Sequence, residues 1–119
     1  MSKDKVEIHV GDSLEEIGAW ATDAWHRMER GEEVNEKHIS FENWETMIRV
    51  LSPKRLELLR HVHQQPAKNI RTLAHALGRD YRRVHEDVEA LESAGLLERD
   101  KEGLRAEYDA FDVRMTVAL

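Results

Sequence analysis

The sequence predicts a mixed α+β chain, and three observations carry that expectation. Between residues 52 and 95, apolar side chains recur at helical spacing in three short runs, each closed by Pro or Gly. At the two ends, Val6, Ile8 and Val10 and then Phe111, Val113 and Met115 alternate with polar residues. That is the period of a strand with one buried face. Third, 40% of the 119 residues are hydrophobic and 35% charged, and because the apolar ones keep clear periods the chain reads as folded.

The first central helix begins at Ser52-Pro53, a good N-cap followed by the residue best tolerated at the first helical position. Leu56, Leu58, Leu59, Val62 and His63 form its broad apolar stripe, and Gln65-Pro66 stops it. Asn69 caps the second helix, whose Ile70, Leu73, Ala74 and Leu77 complete a face at i, i+3, i+4 and i+7 before Gly78. Asp80 caps the third, over 80–93, where Val84, Val88 and Leu91 make the buried stripe and Gly95 closes the helix. Two helices joined by a tight Gly turn describe a helix-turn-helix. The following Leu96–Tyr108 segment, turning at Asp100–Gly103, reads as a β-hairpin, which makes the whole a winged helix-turn-helix.

Charge singles out one part of this unit. The net charge is −6, yet residues 1–52 alone hold 6 basic and 12 acidic side chains. Within 68–83 the cations Lys68, Arg71, Arg79, Arg82 and Arg83 face only Asp80. A local gathering of this kind is the electrostatic signature of polyanion binding. With Val84 pointing inward, Arg82 falls within about 40° of the opposite side of the third helix, as do Glu86 and Glu89. Arg83 and His85 flank that surface, with Arg79 and Tyr81 at its N-terminal end. The major groove accepts such a helix, and an Arg fork matches guanine O6 and N7. Arg71 and Thr72, in the first turn of the second helix, are expected on phosphate, and Lys101 or Arg105 on the hairpin at backbone or minor groove.

The run LSPKRLELLRHV and the following IRTLAHALGRDYRRVHEDVEALESAGLLERD resemble winged-helix transcriptional regulators of the broad MarR/ArsR-like group. With ISFENWETMIRV in front, the chain is similar to a prokaryotic family of small DNA-binding proteins regarded as antitoxins or autoregulators encoded beside a toxin. The resemblance covers about residues 39–112. It implies sequence-specific binding of double-stranded DNA through the third helix, by Arg79, Tyr81, Arg82, Arg83 and His85. The chain lacks the long terminal helices through which MarR-like proteins dimerise and the cysteines common in ArsR-like metal sensors.

The flanks read as a second layer. After the strand at Val6–Val10, Ser13 and Glu16 form a capping box. Leu14, Ile17, Gly18, Ala21, Trp25 and Met28 then share one helical face, which is expected to be the buried one. Trp20 lies about 120° from that stripe and is expected to be exposed. Ile39 and Phe41 indicate a second strand, and Trp44, Met47, Ile48 and Leu51 another helical stripe. The alternation from Phe111 to Leu119 calls for a sheet, either the N-terminal one or that of a second copy. The expected architecture is a winged helix-turn-helix (52–109) with an N-terminal β-α-β-α unit (1–51) completed by a C-terminal strand (110–119). A homodimer would present two recognition helices to half-sites one DNA turn apart.

Other chemistry finds little support. The absence of cysteine excludes disulfides and thiolate metal sites. Of the seven histidines, His61 and His63 point in different directions on their helix, so no metal is expected, and no cofactor. No nucleophile elbow, P-loop, H-E-x-x-H or dinucleotide fingerprint occurs, so no enzyme is expected. Without a long apolar run or an export signal, the chain is expected to be cytoplasmic and to bind no membrane. The functional expectation is a DNA-binding transcriptional regulator, a repressor or autoregulator. The alternative is a protein-interaction module, antitoxin-like or otherwise, that uses the winged helix as a scaffold to engage a toxin or other partner.

Overall fold

The computed structural model describes residues 3–32, 37–117 and 119. Its elements run β1 (Lys3–Val10), α1 (Leu14–Glu29), β2 (Lys37–Phe41), α2 (Trp44–Val50), α3 (Pro53–Gln64), α4 (Ile70–Leu77), α5 (Tyr81–Ser93), β3 (Glu98–Asp100), β4 (Gly103–Arg105) and β5 (Tyr108–Met115). They form a mixed α+β domain of five helices, a three-stranded sheet in the order β2-β1-β5 and a two-stranded hairpin, β3-β4. None of the helices among the described residues is long and apolar enough to cross a membrane.

The sheet is parallel throughout. Val6 stands opposite Lys37 and Phe111, Ile8 opposite Ile39 and Val113, and Val10 opposite Phe41 and Met115. The C-terminal strand therefore joins the chain's own first strand, and its other edge carries no strand among the described residues. The apolar face of the sheet runs into the helical core, where Val6 and Ile8 are fully buried with Leu58, Val62, Leu73, Val84, Val88 and Leu91. Each such aliphatic side chain contributes roughly 1.5–3 kcal/mol when removed from water.

Four of the five N-caps fall where the sequence places them, and Asn43 before α2 is an addition. Ser13, Asn43, Ser52, Asn69 and Asp80 each accept a backbone N–H three residues on. Gly78 leaves α4 with φ +63°, a left-handed conformation that glycine adopts without strain. The hairpin is held to the loop before α4 by reciprocal backbone bonds between Leu104 and Ala67.

Four expectations need correction. No residue of α1 is buried: Leu14, Trp25 and Met28, on its supposed inner face, are exposed. The helix instead meets the sheet through Trp20, which is half-buried and stacks on His9 and His38 with centroids 4.7 and 4.2 Å away. The polar face of β1 is thus covered at His9, which is 2% exposed, while Lys5 on the same face stays open to solvent. In α2, Trp44 and Ile48 are exposed, whereas Met47 and Leu51 pack on the core. Finally, β5 ends at Met115, so Val117 and Leu119 stand outside it, exposed; Ala118 lies outside the described residues.

Candidate nucleic-acid interface

The N-terminal ends of α4 and α5 and the hairpin border one groove of about 450 Å³, lined by Lys68, Asn69, Arg71, Tyr81, Arg99 and Asp100 among others. The turn Gly78-Arg79-Asp80 places the first turn of α5 beside that of α4. Arg71 lies over the Tyr81 ring, its guanidinium carbon 5.8 Å from the centroid, within the range of a cation–π contact. The Tyr81 ring in turn tilts against His85 at 5.9 Å.

Of the nine residues singled out in the sequence, Arg71, Thr72, Tyr81, Arg82, Arg83 and Lys101 are exposed. The guanidinium groups of Arg82 and Arg83 make no ion pair or hydrogen bond among the described residues. Thr72 offers its hydroxyl but not its amide, which already donates to Asn69 Oδ1 at 2.8 Å. His85 is half-buried, with Nε2 3.4 Å from Glu89 Oε1.

Two arginines are employed differently from the sequence reading. Arg79 donates to Asp87 Oδ2 at 2.7 Å, and Arg55 from α3 donates to Asp87 Oδ1 at 3.0 Å. Asp87 is nearly buried, so this pair of cations neutralises a charge that the core would otherwise have to exclude. Arg105 is enclosed by Asp100, Glu98 and Glu107, the latter two at 3.2 Å. These carboxylates hold its guanidinium well above the usual arginine range, and Arg105 with Glu102 N–H holds Asp100 below the usual carboxylate range. Both arginines are thereby committed to the fold.

Sequence reasoning missed Arg99, which forks onto Glu92 with contacts of 2.7 and 3.3 Å and ties the hairpin to the last turn of α5. The signal was its place in a strand facing an acidic helix end.

Residues 50–113, 64 of the 119, match the HVO_A0114 family. The chain belongs to that family. The HVO_A0114 segment takes in α3, α4, α5, the hairpin and most of β5, and so contains the whole groove. The strands β1 and β2 and helix α1 lie outside it. Searches of curated proteins and of solved structures gave no match.

Among the described residues, one further convergence was not expected from the sequence. Glu7, His9 and His38 bring three ligand-type atoms together on the α1 side of the sheet. His9 and His38 are 29 residues apart, and only the parallel pairing of β1 with β2 makes them neighbours.

Proposed function

We propose that the chain is a sequence-specific DNA-binding transcriptional regulator, a repressor or autoregulator, in which α3, α4, α5 and the hairpin act as a winged helix-turn-helix and α5 enters the major groove. The observation that carries the reading is the state of Arg82 and Arg83. Both stand exposed on the first turn of α5, without a carboxylate partner among the described residues, while other arginines of the unit are neutralised. These two cations follow Tyr81, which lines the groove with Lys68 and Arg71, and such side chains suit phosphate and guanine edges. The acidic far end of α5, with Glu89 and Glu92, limits contact to its first two turns. Two copies related by a two-fold axis, joined along the free edge of β5, would offer two such helices to one operator.

The test begins with selection of bound duplexes from a random pool, followed by anisotropy titration of the selected duplex across a salt series. Affinity should fall steeply with salt, by about 0.9 log unit per log unit of salt for each phosphate contacted. Arg82→Ala with Arg83→Ala should abolish selective binding while the melting temperature stays put. Unchanged affinity in that double variant would remove α5 from the interface.

A second reading rests on α1. Its exposed Leu14, Trp25 and Met28 form an apolar face remote in sequence from the groove residues, which favours a protein partner for the N-terminal unit. If selection yields no preferred duplex, the winged helix serves as a scaffold for that partner.

A further inference from the structure

The donor atoms of Glu7, His9 and His38 form a small triangle. His9 Nε2 and His38 Nδ1 are 2.9 Å apart, His38 Nδ1 and Glu7 Oε2 3.2 Å, and His9 Nε2 and Glu7 Oε2 3.6 Å. An ion about 0.8 Å off the plane of this triangle would lie about 2.05 Å from all three atoms, matching zinc–imidazole and zinc–carboxylate bond lengths. Around a tetrahedral ion with such bonds, ligand atoms are spaced about 3.3 Å apart, close to the three sides observed.

The surroundings complete the argument. The His9 and His38 side chains are only 3% and 11% exposed, so two imidazoles have been withdrawn from water and brought nose to nose. Asp12 Oδ2 lies 2.9 Å from His9 Nδ1, the atom facing away from the triangle, and its side chain is 4% exposed. This close approach is not a formed hydrogen bond, His9 Nδ1 being buried without a hydrogen-bond partner among the described residues; a small turn of the ring would make it the carboxylate–imidazole pair that leaves Nε2 free to bind a metal. Trp20 lies flat over both rings and seals the site from the α1 side. Glu7 is 47% exposed, which leaves the fourth position to water.

We propose that Glu7, His9 and His38 form a binding site for one divalent transition-metal ion of the zinc class, clamping β1 to β2, with Asp12 as the positioning residue behind His9. Two imidazoles and a carboxylate suit zinc, cobalt or nickel better than calcium or magnesium, which take oxygen ligands. The site does not depend on the DNA-binding reading, since it lies outside the groove and outside the family segment.

The experiment titrates chelator-stripped full-length protein with Co²⁺, followed by its visible absorption, and then displaces it with Zn²⁺ in a calorimeter. One ion per chain is expected, with the band intensity of four- or five-coordinate cobalt. Glu7→Gln and His38→Asn should each weaken binding at least about tenfold, and Asp12→Asn by about 10–100-fold although it touches no metal. A control with His26→Gln and His75→Gln, two exposed histidines, should bind as the parent does. Failure of the parent chain to take up one equivalent of either ion overturns the proposal, because that result needs no variant to fold. So does binding that survives Glu7→Gln and His38→Asn but vanishes in the control.

Discussion

Replacing Asp87 by Ala should destabilise the protein by about 3 kcal/mol. Two charge-assisted hydrogen bonds would be lost, each worth roughly 1.5–3 kcal/mol. Against the larger sum stands partial exposure, 13% for the Asp87 side chain, 21% for Arg55 and 18% for Arg79, which lets water replace part of the loss. Arg55 also keeps the carbonyl oxygens of Arg49 and Val50 as acceptors, at 3.1 and 3.4 Å. Arg79 has no second acceptor of that kind among the described residues and would be left facing another guanidinium. For a chain of this length the unfolding entropy is about 0.25 kcal/mol per kelvin, so 3 kcal/mol corresponds to a fall of about 12 °C in Tm. Thermal melts by circular dichroism measure it directly. A fall below about 4 °C, the scale of an ordinary surface ion pair, would refute the reasoning and return Arg79 to the DNA-facing set. Arg79→Ala offers an internal check, since it should lower Tm, unlike Arg82→Ala with Arg83→Ala.

Other consequences concern the hairpin. A Cβ on Gly103, at φ +131°, would sit 2.2 Å from the Ala67 carbonyl oxygen, so Gly103→Ala should cost about 1–3 kcal/mol and loosen the hairpin from the loop before α4. Protection of the Leu104 amide from hydrogen exchange would report it, and unaltered protection would contradict the docking described here. Acid should act on the same element. Because folding depresses the Asp100 carboxyl, the stabilisation is present above the ordinary carboxylate range and is lost as pH falls through the lower folded value. Amide exchange within the hairpin should therefore accelerate in strong acid before the helical core unfolds, and simultaneous loss of both would show that the carboxylate cluster has no separate effect.

Local signals and long-range pairings were unequally legible. The stripes of α4 and α5 and their caps could be read because each rests on residues within two or three turns of one another. Helix α1 shows where this stops: periodicity reveals that a helix has an apolar side but not which side meets a neighbour. Its stacking contact with the sheet, Trp20, lies off the stripe because what it covers is a pair of imidazoles, a flat polar-edged surface suited to an indole, rather than an aliphatic layer. The burial of His9 was not legible for a related reason, since alternation identifies the apolar face of a strand and leaves the other open to being covered. The Arg79 ion pair was not legible because its partner Asp87 is charged and reads as surface. Arg55, 32 residues before Asp87, joins Arg79 in explaining how that carboxylate tolerates burial.

The boundary of the family segment carries a physical requirement. It ends within β5, whose strand partner, β1, lies outside it. Paired residues of these strands, such as Lys3 and Tyr108, are about 105 positions apart, and closing a loop of that length costs about 4 kcal/mol of chain entropy. Val6, Ile8 and Val10, buried to 0–1% exposure, offset it with roughly 1.5–3 kcal/mol each. These side chains share one core cluster with buried residues of α3, α4, α5 and the hairpin, elements joined by much shorter loops. The sheet therefore depends on the helical unit more than the helical unit depends on the sheet. A chain reduced to the family segment would keep the groove, with Arg71, Arg82 and Arg83 in place, but would leave Phe111 and one edge of β5 without their cover. In this chain β1 covers that edge, so the N-terminal unit with its Glu7, His9 and His38 triangle occupies a place that the segment itself leaves open.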